Sequence, residues 1–171
     1  PKFTGGLTNT FRWKDLSLNV FLTYQAGNKI RLAPQFSASY NDLDAMSNIF
    51  RDRWIQPGDE EFTDVPSIMD DLTRTNLSGA YPYSAYNYSD VRVAKGDFIR
   101  LKTVSLTYKF PKSLLAKTNF IGDASLTVAG NNLWLIYADK KLNGQDPEFY
   151  NTGGVAQPVS RQFTVALNVG F

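Results

Sequence analysis

Five stretches of the chain alternate apolar and polar side chains with period 2, the spacing of a strand whose two faces meet different surroundings. From Phe3 to Trp13 the odd positions carry Phe3, Gly5, Leu7, Phe11 and Trp13, broken only by Asn9. The even positions carry Thr4, Gly6, Thr8, Thr10 and Arg12. After Lys14-Asp15, Leu16, Leu18, Val20, Leu22, Tyr24 and Ala26 alternate with Ser17, Asn19, Phe21, Thr23 and Gln25. Two alternating runs about a tight polar break predict an antiparallel hairpin. Alternation returns at Asp97 and ends at Phe110, with Val104, Leu106, Tyr108 and Phe110 on one side and Thr103, Ser105, Thr107 and Lys109 on the other. Its phase slips over Phe98-Ile99-Arg100-Leu101-Lys102, where a β-bulge accounts for the break. Ala124, Leu126, Val128 and Gly130 alternate with Ser125, Thr127, Ala129 and Asn131, ending near Trp134. The last run sets Phe163, Val165, Leu167, Val169 and Phe171 against Gln162, Thr164, Ala166, Asn168 and Gly170. The pattern predicts an all-β chain of five strands, at about 3–14, 15–27, 97–110, 122–134 and 160–171.

The connections are short, very long, short and long. Residues from about 28 to 96 and from about 135 to 159 lack alternation and are rich in Asn, Asp, Ser, Pro and Tyr. Within the first, Leu43, Met46, Ile49 and Phe50, and Trp54 beyond them, fall on one stripe. They predict a short helix capped by Asn41 or Asp42. Pro111 to Lys117 is read as a short connector of one helical turn. Strands of this length match the roughly 9–11 residues that cross a bilayer when tilted. With Phe171 on the periplasmic side, both short turns lie in the periplasm and both long loops outside the cell, the asymmetry of outer-membrane barrels. Phe11, Trp13, Tyr108, Phe110 and Phe171 then cluster at one interface and Tyr24, Phe98, Trp134 and Phe163 toward the other, as two aromatic girdles. The soluble alternative is a β-sandwich whose apolar faces pack together. Long strands with aromatics at their ends speak against it.

Composition narrows the chemistry. A length of 171 residues fits one domain, and aromatics make up 14%. Charged residues are 20%, the net charge is +2, and the basic side chains are scattered, so no nucleic-acid partner is expected. The absence of Cys and His excludes disulfides, Cys/His metal sites and His-based triads within the chain. No apolar run approaches the ~20 residues of a membrane helix, and a mean hydropathy of -0.29 is compatible with barrel strands, whose alternation averages to mildly polar. The chain begins Pro1-Lys2-Phe3-Thr4, without an initiator Met or a signal peptide, and is expected to be a piece of a longer protein.

Several segments resemble the SusC/RagA family of TonB-dependent outer-membrane transporters. They are Pro1 to Gly6 through Phe11, Leu16-Ser17-Leu18, Gly27-Asn28-Lys29-Ile30, Gly96-Asp97-Phe98 through Pro111, Ala129-Gly130-Asn131-Asn132-Leu133, Asp146-Pro147-Glu148, Gln157-Pro158, and Arg161-Gln162-Phe163-Thr164 to Phe171. The loop from about Ala33 to Ser89 matches least. The resemblance implies the C-terminal five antiparallel strands of a large transmembrane β-barrel of about 22 strands with a plugged lumen. It implies a multi-pass protein of the Gram-negative outer membrane that imports glycan or peptide, with no cofactor and no enzymatic activity. A SusD-like lipoprotein lid, the TonB complex acting through an upstream segment, the barrel-assembly machinery, which would recognise Phe171, and outer-membrane lipid are the implied partners.

Read as chemistry, the loops offer candidates with a bland reading beside each. Asp146 and Glu148 form a carboxylate pair as in a glycosidase, but they flank Pro147 within a family motif that has no catalytic role. Asp59-Glu60-Glu61 with Asp64 supplies hard oxygen ligands for Ca²⁺ without EF-hand spacing, and a solvated acidic turn is the preferred reading. Asp70-Asp71 is read the same way. The run Tyr81-Pro82-Tyr83-Ser84-Ala85-Tyr86-Asn87-Tyr88 carries rings suited to stacking on sugars or lining an interface, or to packing the loop onto the rim. Trp54, Tyr81, Tyr83, Tyr86 and Tyr88 are the candidate extracellular substrate or partner contacts. No catalytic, cofactor or metal residue is expected. The competing function is a soluble β-sandwich module that binds carbohydrate through the loop tyrosines.

Overall fold

The computed structural model describes residues 1–36, 48–77, 82–116, 120–151, 154–155 and 160–171. Among them the strands are β1 (Phe3–Trp13), β2 (Leu16–Ala26), β3 (Lys29–Arg31), β4 (Val93–Lys95), β5 (Phe98–Lys109), β6 (Asp123–Ala138), β7 (Tyr150–Asn151), β8 (Gly154–Val155) and β9 (Gln162–Gly170). The five long strands make one antiparallel sheet in the order β1-β2-β5-β6-β9, while β3 pairs with β4 and β7 with β8. Each long strand lies beside the next long strand in sequence, the meander that short turns favour. Helices α1 (Asp71–Asn76), α2 (Pro82–Tyr88) and α3 (Lys112–Leu115) lie between strands.

The register turns the alternation of single strands into rows that cross the whole sheet. Trp13, Leu16, Tyr108, Leu126 and Leu167 form one row, and Phe11, Leu18, Leu106, Val128 and Val165 the next. On the opposite face Thr10, Asn19, Ser105, Ala129 and Thr164 align, followed by Arg12, Ser17, Thr107, Thr127 and Ala166. A slip of one residue would exchange the faces of a strand, so this pattern specifies the register strongly. Polar neighbours join across strands: Asn19 Nδ2 donates to Thr10 Oγ1 at 2.9 Å, Thr103 Oγ1 to Asn131 Oδ1 at 2.9 Å, and the Thr107 and Thr127 hydroxyls meet at 2.9 Å.

The register shifts between β2 and β5 at Phe21/Leu22, leaving Lys102 unopposed. This bulge lies within the stretch where the alternation slips in sequence, and it brings Lys102 and Thr103 to the polar face together. β6 runs to Ala138, beyond the end near Trp134 that the alternation predicts. Between β5 and β6 the register shifts twice, and Asn132 adopts a left-handed φ of 54° at the first shift. The shifts reset the phase, so Trp134 lies opposite Leu101 and Tyr137 opposite Ile99 on the apolar face. A strict period-2 reading loses the strand at that point.

The chain forms two compact units. One comprises 1–30, 95–150 and 155–171, and includes the sheet; the other comprises 31–94 and 151–154. The second unit has its own small core of Phe36, Phe50 and Val65, flanked by Ile49, Tyr83 and Tyr86. Phe36 stacks on Tyr83 with ring centroids 4.7 Å apart and meets Tyr86 edge-on at 5.3 Å. Buried Asn87 closes this core through hydrogen bonds: its Oδ1 accepts from the amides of Gln35 (2.9 Å) and Phe36 (3.2 Å), and its Nδ2 donates to the Phe36 carbonyl (2.8 Å). Of the helix predicted from Asp42 to Trp54, residues 37–47, with Leu43 and Met46, lie outside the described residues. Asn48–Asp52 form a 3₁₀ turn with Phe50 buried. α1 and α2 have no counterpart in the sequence reading, since both are too short to show a full helical period.

Candidate functional site

The sheet presents a broad apolar face that nothing covers among the described residues. Leu7, Phe11, Trp13, Leu106, Val128, Trp134, Phe163, Val165 and Leu167 are all exposed. Strands of 11 residues, at ~3.3 Å per residue and a tilt of ~45°, project to about 26 Å, close to the apolar band of an outer-membrane barrel. A β-sandwich would need a second sheet against this face, and among the described residues these apolar side chains are left exposed. An uncovered apolar surface of this breadth exceeds what water-soluble monomers normally expose.

Near the Ala26 and Ala138 end of the sheet, the polar face carries a buried ionic cluster. Arg100 sits on β5 between Thr23 of β2 and Leu135 of β6. Its guanidinium donates to Asp146 Oδ2, and its Nε lies 3.0 Å from Glu148 Oε2 without the alignment of a hydrogen bond. Lys102 Nζ stands 3.6 Å from the other Glu148 oxygen. Arg100 and Asp146 side chains are 6% and 8% exposed, while Lys102 and Glu148 are about a third exposed. Phe98 and Phe149 hold their rings 5.7 and 5.9 Å from the guanidinium carbon. Removing one partner of such a buried pair costs roughly 3–5 kcal/mol, because the remaining charge stays buried. Phe98 is itself buried against this cluster and does not join the outer aromatic girdle expected for it: the phase slip turns it to the polar face.

These contacts occupy Asp146 and Glu148, the residues that raised a glycosidase reading. Arg100 and Lys102 do not stand out in the sequence as candidates. Their signal was two cations two apart on a predicted strand and two carboxylates two apart in the loop after the following strand. Further anchors surround the cluster. Asp97 Oδ1 accepts from the Gly27 amide at 2.7 Å, and Gly96 N–H donates to the Asn28 carbonyl at 3.0 Å. A Cβ at Gly96 would overlap the Asn28 side-chain amide, which accounts for glycine there. Asp139 accepts from the amides of Lys141 (3.0 Å) and Lys95 (2.7 Å), and these bonds hold its carboxyl below the usual carboxylate range.

In the second unit the tyrosine run is helical, so tyrosines spaced by three share a face. Tyr83 and Tyr86 pack on Phe36, and the Tyr83 hydroxyl accepts from the Met69 amide at 2.7 Å and donates to the Ser67 carbonyl at 3.2 Å. Tyr88 is exposed, with the Arg31 guanidinium 5.9 Å from its ring. Trp54 lies at the surface, its amide bonded to the Val65 carbonyl at 2.9 Å. Tyr81 lies outside the described residues. Ile55, Phe62 and Leu72 are exposed apolar residues of this unit that the sequence reading did not select. Asp59 accepts from the Ile55 and Gln56 amides, and Asp70 caps α1 through the Thr73 amide and hydroxyl. Those bonds lower both carboxyls and make the acidic stretches local turn and cap chemistry. Phe171 is 91% exposed and stacks on Phe120 with centroids 6.4 Å apart.

No family model matches the chain. Two curated proteins of Formosa agariphila match along all of it: TonB-dependent receptor P26, 28% identical over 185 residues, and TonB-dependent receptor P3, 28% identical over 187 residues. The chain spans 17% and 16% of their lengths. Among solved structures it is similar to the RagAB peptide transporter, with 26% identity and a TM-score of 0.70 over 98% of this chain and 17% of that one. The RagAB peptide importer in its "closed-closed" and "open-open" states gives TM-scores of 0.70 and 0.68 at the same identity and coverage. In sequence along its whole length and in fold, the chain is thus similar to one segment of the SusC/RagA-type TonB-dependent transporters.

Proposed function

We propose that the chain is the C-terminal part of an outer-membrane β-barrel that imports glycan or peptide, works with a SusD-like surface lipoprotein and draws energy from the TonB complex. The observation that carries the reading is the apolar face: five strands in register, one side apolar and uncovered, the other lined by hydroxyls and amides. Lipid is the solvent that suits the first face, and a hydrated or plug-filled lumen suits the second. The segments 28–96 and 139–159, the latter starting past the end of β6, are then extracellular loops. Trp54 and Tyr88, with the exposed Ile55, Phe62 and Leu72 of the same unit, are the candidate contacts for the lipoprotein or cargo; Tyr83 and Tyr86 contribute by shaping the unit that presents them. Phe171 serves barrel assembly. The RagAB structures support the peptide branch and a two-component transporter, and the match to receptors supports the TonB link.

The test is fractionation and uptake with the full-length protein in its own host. It should resist extraction by salt and alkali, require detergent for release, and be needed for uptake of one class of oligomeric nutrient. Recovery of the full-length protein in the soluble fraction without detergent would overturn the reading.

A further inference from the structure

The transport reading leaves the buried cluster around Arg100 without a role. We propose that Arg100 is a positioning residue that latches the segment 139–150 onto the polar face of the sheet, and so sets how wide a passage that face leaves to cargo. The proposal rests on the polar face being the lumen side. Both carboxylates that neutralise Arg100, Asp146 and Glu148, come from this one segment. At its start the segment is pinned by Asp139, bonded to the Lys95 amide. It turns back through Asn143 and Gly144, both at positive φ, and buries Leu142 to 2% exposure. Beyond that turn, Asp146 and Glu148 reach Arg100 and Lys102 of β5. Two cations meet two carboxylates, so the cluster holds no surplus charge to recruit an external anion. Its balance is that of a closure, not of a ligand site. Exposure grades outward from the Arg100 and Asp146 pair to Lys102 and Glu148, so water reaches the outer pair first.

The chain has no cysteine, so a single thiol can report on the segment. In the full-length protein in outer-membrane vesicles, with any cysteine elsewhere replaced by serine, Leu142→Cys is labelled with a maleimide. Labelling should be slow while Arg100 is present. Arg100→Gln should raise the rate by about tenfold or more, Asp146→Asn by a similar factor, and the double variant no further, since one latch is broken in each case. Exchanging the charges, Arg100→Asp with Asp146→Arg, should restore slow labelling. Unchanged labelling in Arg100→Gln, or effects that multiply in the double variant, would overturn the latch. Uptake of cargo near the size limit should rise relative to small cargo in Arg100→Gln, and an unaltered size profile despite faster labelling would overturn its control of the passage. If Arg100→Gln fails to assemble, Glu148→Gln leaves the Arg100 and Asp146 pair intact and should raise labelling partway; no change there would also overturn the proposal. Labelling does not depend on transport, so a parent protein that imports nothing would refute the transport reading and leave the latch to be judged by the labelling rates.

Discussion

Single side chains hold the irregular segments of this chain together where no ladder exists. Asn87 is the clearest case, because one carboxamide satisfies three backbone groups on residues 35 and 36. Asn87→Ala removes all three partners within a small core and should destabilise the 31–94 unit by about 3 kcal/mol, seen as faster hydrogen exchange at Gln35 and Phe36. Asp139 makes a pH-dependent anchor. The Lys141 and Lys95 amides lower its carboxyl below the unfolded value, so its contribution is fully present above the ordinary carboxylate range and disappears as pH falls through its folded value. Exchange at the Lys95 and Lys141 amides, corrected for intrinsic rate, should therefore quicken below about pH 4, and Asp139→Asn should abolish that pH dependence. Neither residue was legible as a site in sequence. A buried Asn and an Asp at a strand end look like solvated loop residues until the fold brings their partners near.

At the scale of elements, the strands carry their own instructions and the helices do not. Alternation over 11 residues states which face of β1 or β2 is apolar, and neighbouring strands repeat the statement in register. Two adjacent positions should therefore respond very unequally. Val104 is central on the apolar face and Ser105 lies next to it on the polar face. Val104→Arg should cost about 2–4 kcal/mol in a bilayer, and Ser105→Arg well under half of that, measured by reversible denaturant titration of the full-length protein in lipid. Where alternation failed, the cause was local. The shifts in β6 around Asn132 move Trp134 and Tyr137 onto the same face, a placement that a fixed period cannot express. In sequence the tyrosine run suits either stacking on a ligand or partner or packing the loop onto the rim. As α2 its described rings divide between the two, with Tyr83 and Tyr86 turned to the core of their unit and Tyr88 left exposed.

For the whole molecule, the governing fact is that among the described residues a five-stranded sheet leaves its apolar face uncovered. The full-length protein should accordingly unfold cooperatively only in detergent or lipid, with aggregation on detergent removal as the measured outcome. Deleting Phe171 should lower the amount assembled in the outer membrane more than it weakens cargo affinity of the protein that does assemble; an equal loss in both would oppose an assembly role. The amino-acid sequence by itself determined the five long strands apart from the end of β6, their two faces and the family resemblance. Each of these rests on short-range periodicity or on contiguous motifs, which survive without knowledge of neighbours. Tertiary structure alone decided where the register shifts, which tyrosines are buried, and that Arg100 and Lys102 meet Asp146 and Glu148 across more than 40 residues of chain. Those outcomes depend on which segments the fold brings together, and local pattern does not encode the contact.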